Sequence, residues 1–301
     1  MKIGIFDSGL GGLIIAKAIR KAMPEYDYVY LGDTKRVPYG NRSHEAVYEF
    51  TKEAVSYLFK KENCAIVIIA CNTSSARALR RMQQEYLVNY NHTRKIMGES
   101  ERKILGVLIP TAEECAKYKK VGILGTAGTI NSNTFPKEIK KRNKKTLVFQ
   151  NSAPMLVPLI EEGEKVLAVQ FIKKYLKSFL NKKLDAVALG CTHYPFYKNE
   201  IKKILNEKKM NPVRGRGSLR ALAASNGVKV ISQDEIIPKK LKDYFIRHPE
   251  IEKKLAKNKK AKILVTDITP NIKKLSQKWF GPPRLAKGEA GKNTRPELIY
   301  L

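Results

Sequence analysis

Apolar runs of β-forming residues alternate with amphipathic helical stretches along this chain, and that alternation leaves few folds open. Strand-like runs fall at 3–6, 28–31, 66–70, 104–108, 121–124, 147–149, 186–189 and 228–231. Helical stretches fall at 12–22, 44–60, 74–86, 111–118, 133–141, 166–180, 196–208 and 236–247. Strands separated by helices pair in parallel through right-handed crossovers, so the pattern predicts an α/β protein built on parallel sheets. At 301 residues the chain suggests one to two domains, and 43% hydrophobic residues can fill their cores.

Two of these runs match each other. AIVIIACNTSS at 65–75 and DAVALGCTHYP at 185–195 each carry a strand pattern into a cysteine, and Cys71 and Cys191 lie 120 residues apart. IGIFDSG at 3–9 repeats as VGILGTA at 121–127, an offset of 118. Two landmarks with nearly equal offsets predict two similar units, each with a hydroxyl-bearing loop followed later by a cysteine loop. A cysteine that ends a parallel strand sits where open α/β sheets bind ligands. Two such cysteines facing each other across a cleft could take a proton from one face of a carbon and return it to the other.

The remaining composition narrows the chemistry. Cys64 and Cys115 read as small buried hydrophobes, because no CxxC pair and no zinc-like His or acidic spacing accompanies any of the four cysteines. The loop DSGLGG at 7–12 is not a dinucleotide fingerprint, since Ile14 stands where the last glycine belongs, and it lacks the Gly-Lys-Ser/Thr of a P-loop. No metal and no cofactor is therefore expected. No apolar run reaches membrane-spanning length and the first residues lack a signal-peptide pattern, so the expectation is a cytoplasmic protein without membrane contact. The 58 Lys and Arg against 28 Asp and Glu give a formal charge of +30. That excess, which falls in helix-like stretches at 137–145, 198–209 and 253–262, reads as a lysine-coated surface with weak, nonspecific attraction for polyanions. No zinc finger, RNP motif or aromatic interleaving points to a dedicated nucleic-acid site.

The cysteine loops carry specific expectations. A helix start lowers a thiol pKa, and Asn72 and Thr73 could cap the helix after Cys71 while its free amides hold a carboxylate. After Cys191, Thr192 offers a hydroxyl, Pro195 suits a first helical turn, and His193 is placed to assist proton transfer. Asp7 is open to two readings on spacing alone, an N-cap or a base supporting a thiol. Val37-Pro38-Tyr39-Gly40-Asn41 reads as a turn. The polar stretch 89–102, the Arg-rich segment 211–226 and the tail 281–301 read as surface loops or mobile chain.

Six ordered motifs then carry a resemblance: GIFDSGLGGL (4–13), LGDTKRVPYGNRS (31–43), ACNTSSA (70–76), GILGTAGTI (122–130), VPLIEEG (157–163) and LGCTHYP (189–195). With both cysteines among them, the chain is similar to the cofactor-independent aspartate/glutamate racemase superfamily, and within it to the glutamate racemases. The motifs span roughly residues 1–205, with a weaker match at 228–231. The resemblance implies two α/β domains with the active site between them. It also implies that Cys71 acts on D-glutamate and Cys191 on L-glutamate, one as thiolate and the other as thiol, with Asp7 and His193 tuning the two. Positions it implies for the substrate pocket are Asp7, Ser8, Pro38, Tyr39, Gly40, Asn72, Thr73, Thr126, Thr129 and Thr192, with Glu161 nearby. Its biological role would be supply of D-glutamate for peptidoglycan, and a homodimer is compatible with it. The segment 211–226, the sequence Ile231-Ser232-Gln233 in place of the usual Asp-Ser, and the high basicity depart from the pattern.

The expected division is a first domain of residues 1–103 plus about 228–285, a second of 104–210, an inserted loop at 211–227 and a mobile tail at 286–301. Two other functions stay open: a racemase for another amino acid such as aspartate, and a basic binding protein on a racemase scaffold.

Overall fold

The computed structural model describes residues 1–210, 227–281 and 295–301. Among the described residues ten strands form two sheets, and every pairing is parallel. They are β1 (Lys2–Asp7), β2 (Tyr28–Gly32), β3 (Cys64–Ile69), β4 (Lys103–Gly106), β5 (Lys120–Gly125), β6 (Leu147–Ser152), β7 (Ala186–Gly190), β8 (Lys229–Ile231), β9 (Ala261–Val265) and β10 (Pro296–Leu298). The first sheet runs β10-β9-β2-β1-β3-β4 and the second β6-β5-β7-β8. Every residue of β3 and β7 is buried, as expected of parallel strands covered by helices on both faces.

The internal repeat is real at the level of topology. The order β2-β1-β3-β4 in the first sheet is the order β6-β5-β7-β8 in the second, with β9 and β10 added to the first. In each unit the chain moves outward to one side, then crosses back to the other side of its starting strand. The crossing points lie between β1 and β3 and between β5 and β7. A crevice opens outside the carboxyl ends of the strands at such a point. Asp7 and Cys71 come from one crossing point, Thr126 and Cys191 from the other.

Several sequence expectations need correction. The strand expected at 104–108 in the second domain is β4, which pairs with β3 at the edge of the first sheet. The segment near 228 was expected to return to the first domain, but β8 pairs with β7 in the second sheet, where Val230 and Ile231 cover its open edge. The return comes later, with helix Gln233–Arg247, which packs on helix Leu13–Ala22 of the first domain. The stretch 89–102, expected as a loop, contains helix Leu87–Ile96. Its polar composition conceals an aromatic seam: Tyr90 stacks on Phe59 at 5.3 Å and on Tyr86 at 5.6 Å. The lysine-rich 253–262 is not a helix; it leads into β9 between β2 and β10. The tail contributes β10, and Ile299 is buried while its N–H donates to Val265 at 2.8 Å. The rest of the 281–301 expectation, and the expected loop at 211–226, lie outside the described residues. Among the described residues no helix is long and apolar enough to cross a membrane.

Candidate active site

Asp7 closes β1 and Cys71 follows β3, its hydrogen-bonded neighbour, so the two groups leave the sheet side by side. Cys71 is 5% exposed and Asp7 1%. Ser8 Oγ lies 3.2 Å from the Cys71 sulfur, and the Ser74 amide donates to that sulfur at 3.4 Å. Cys71 is therefore itself the N-cap of helix Asn72–Arg77, the role expected of Asn72 and Thr73. The expected lowering of its thiol pKa is outweighed. Burial pushes it up and the Asp7 carboxylate pushes it further, while Ser8 and Ser74 pull the other way. Asp7 accepts from the Gly9 amide at 3.1 Å, and burial raises its carboxyl above the usual range against the pull of His193. Asp7 and Cys71 thus oppose each other's negative charge.

Cys191 follows β7 in the same way and is also 5% exposed. Its sulfur lies 3.8 Å from His193 Nδ1, and His193 Nε2 lies 2.9 Å from Glu161 Oε1. Burial alone would lower the histidine's pKa. The Cys191 sulfur and the Glu161 carboxylate outweigh it and raise His193 to about 10, so it is an imidazolium at neutral pH. The ring is also held by packing. Trp279 meets it edge-on at 5.7 Å between centroids, and Phe196 meets Trp279 at 4.6 Å.

The loop 7–12 joins the two halves. Thr192 Oγ1 points back to Asp7 Oδ1 at 3.5 Å. A Cβ at Gly11 would stand 2.4 Å from His193 Nδ1 and 2.5 Å from Thr192 Oγ1, so only glycine admits this approach. Further along the cleft, Thr73 Oγ1 lies 2.9 Å from Thr126 Oγ1, which lies 3.0 Å from Thr129 Oγ1, a hydroxyl chain across the domain boundary. A Cβ at Gly128 would stand 2.8 Å from the Gly40 carbonyl, which brings the turn at 38–40 against the second domain. Pro38 is exposed. Tyr39 is buried and its hydroxyl donates to Asp33, so the phenol serves the fold of that turn. The Asn72 amide is paired with Gln233. Among the described residues no group of three or more His, Cys, Asp or Glu is gathered to hold a metal ion.

Residues 14–214 match the family described as Asp/Glu/Hydantoin racemase. The chain belongs to that family. It is 34% identical to a glutamate racemase of Aquifex pyrophilus over 96% of its length and 98% of the relative's. It is 37% identical to a glutamate racemase of Aquifex aeolicus over 81% of its length and 83% of the relative's. Glutamate racemase isoform RacE1 from Bacillus anthracis superposes with a TM-score of 0.78 at 27% identity, over 100% of this chain and 97% of that one. A glutamate racemase from Francisella tularensis, crystallised with D-glutamate, superposes at 0.77 and 27% identity, over 99% and 97%. As a racemase of this family the protein is an isomerase, with the family's two-domain fold.

Some residues around this candidate site escaped the sequence reading. Asp33, inside the motif at 31–43, accepts from Tyr39, from Arg36 Nε at 2.6 Å and from Thr266 Oγ1 at 2.7 Å, and is fully buried. A carboxylate with three donors anchors the turn at 38–40 to the end of β9. Its one available signal was its place at the end of β2, two strands from Cys71. Trp279, the chain's one tryptophan, stands in a helix that the sequence reading did not find, Pro270–Phe280. Gln233 was marked only as part of Ile231-Ser232-Gln233, the departure from the usual Asp-Ser.

Proposed function

We propose that the protein interconverts L- and D-glutamate by two-base proton transfer between Cys71 and Cys191, supplying D-glutamate for peptidoglycan. The observation that carries the mechanism is the placement of one buried cysteine at each sheet's crossing point, joined through a single loop, 7–12. The two cysteines are equally buried but unequally supported. His193, an imidazolium, stands 3.8 Å from the Cys191 sulfur. Cys71, pushed up by burial and Asp7, favours the thiol.

In the L-to-D direction the Cys191 thiolate takes the α-proton, the carbon–hydrogen electron pair moves into the carboxylate as an enediolate, and the Cys71 thiol delivers a proton to the opposite face. The site then holds a Cys71 thiolate and a Cys191 thiol, the form that runs the reverse reaction. The α-proton of an amino acid is weakly acidic, so fixed dipoles must stabilise the charge as it forms. Hydroxyls of Ser8, Thr73, Thr126, Thr129 and Thr192 and the amides that follow each cysteine supply such dipoles. The choice of glutamate rests on the relatives named glutamate racemase and on the D-glutamate complex of one of them.

The test is circular dichroism of the purified protein with L-glutamate and, separately, D-glutamate, with no cofactor added. Both signals should decay to zero. In deuterium oxide, early D-glutamate made from L-glutamate should carry deuterium while the remaining L-glutamate stays largely protiated. Rapid labelling of unreacted substrate would show a single shared base, and absence of decay would refute the activity itself.

A further inference from the structure

Asn72 stands next to Cys71, opens helix Asn72–Arg77 and is 2% exposed. Its side-chain amide is engaged by a residue 161 positions further along the chain. Asn72 Nδ2 donates to Gln233 Oε1 at 2.8 Å, and Gln233 Nε2 donates back to Asn72 Oδ1 at 2.8 Å. Gln233 is fully buried and begins helix Gln233–Arg247, two residues beyond β8 of the second sheet.

A third group fixes which way both amides point. Thr111 Oγ1 gives its one proton to the Val107 carbonyl at 2.7 Å, so it can only accept from Gln233 Nε2, at 3.2 Å. Were Gln233 reversed, its carbonyl would face a hydroxyl with no proton left for it, a buried mismatch. The donor order out of the reciprocal pair therefore runs one way, from Gln233 to Thr111 to Val107. With one amide hydrogen and one oxygen lone pair of Asn72 engaged, one of each remains for a substrate in the cleft.

We propose that Gln233 is a positioning residue: it sets the orientation of Asn72 beside Cys71. The proposal rests on the two-cysteine reading given above.

The test uses Gln233→Met, which keeps length and volume but neither donates nor accepts well, and Gln233→Glu, whose carboxylate accepts from Asn72 but cannot donate to Asn72 or Thr111. Thermal melting establishes that each variant is folded. kcat/KM should fall about tenfold, the scale of one lost buried hydrogen bond. It should fall equally in both directions, because the two enantiomers are equal in free energy. The informative readout is the isotope effect of α-deuterated substrates. Slowing the Cys71 side should raise it for D-glutamate and lower it for L-glutamate. In an Asn72→Ala background, Gln233→Met should add little further loss. Unchanged kcat/KM in the folded variants, or a loss that leaves the two isotope effects in their original ratio, would overturn the proposal. Should Gln233→Met not fold, the same measurement on Gln233→Glu decides it. A wild-type protein that racemises neither enantiomer would instead overturn the reading of the site.

Discussion

Cys71 and Cys191 are equally buried and differently supported, and that difference is where the residue-scale predictions lie. Serine matches a cysteine in shape but is far harder to deprotonate. Cys71→Ser and Cys191→Ser should each lower turnover by about 10²- to 10⁴-fold, the usual contribution of an acid–base group, with the fold retained. Near wild-type rates from either variant, assayed from both enantiomers, would mean that the proton is not passed between these sulfurs. His193 supplies the second prediction. Its pKa is raised from an ordinary 6.5 to about 10, so its ion pair with Glu161 stabilises the fold fully below pH 6.5. That contribution declines as pH rises from 6.5 towards 10 and the proton leaves. Nuclear magnetic resonance of the ring should show deprotonation near pH 10, and titration near 6.5 would show that the pair is not formed. The cysteines were legible because each ends an apolar run. The roles of Gln233 and Trp279 were not, because their partners lie 161 and 86 residues away.

At the scale of elements, the site is assembled from strand ends and from one turn held by a buried carboxylate. Asp33 anchors the turn at 38–40 through Tyr39, Arg36 and Thr266. In Asp33→Asn, one oxygen becomes a donor facing groups that are themselves donors. KM for glutamate should rise about tenfold and stability should fall by about 1–3 kcal/mol, the cost of an unsatisfied buried polar group. Steady-state kinetics and denaturant melts measure both, and an unchanged KM would separate this turn from substrate binding. Strand and helix periodicity was readable for most of the first 210 residues. It failed for β9, where lysines flank a short apolar run and pairing with β2 supplies the stability that composition does not show, and for β10, three residues that pair on β9. It also failed for helix Leu87–Ile96, whose polar surface hides the stacked Tyr86 and Tyr90.

At the scale of the whole molecule, a net charge of +30 and a cleft lined by hydroxyls are separate properties. The field should draw polyanions without regard to sequence. Neutralising several phosphates releases counterions, so DNA affinity should drop steeply between about 50 and 200 mM salt while racemisation persists. Filter binding on a chosen and a scrambled duplex measures this. Tight, sequence-selective binding at physiological salt would point to a function that the cleft does not explain. The alternation of strand and helix, the paired cysteine frames and the motif order were enough, by themselves, to determine an α/β racemase with two similar units, because each of those signals is local in the chain. The membership of β4 in the first sheet and β8 in the second, the pairing of Asn72 with Gln233, and the opposed surroundings of Cys71 and Cys191 were decided only by tertiary structure. A strand's partner depends on which open edge is within reach. A thiol's charge depends on burial and on neighbours brought in from distant parts of the chain, as that of Cys71 does on Asp7.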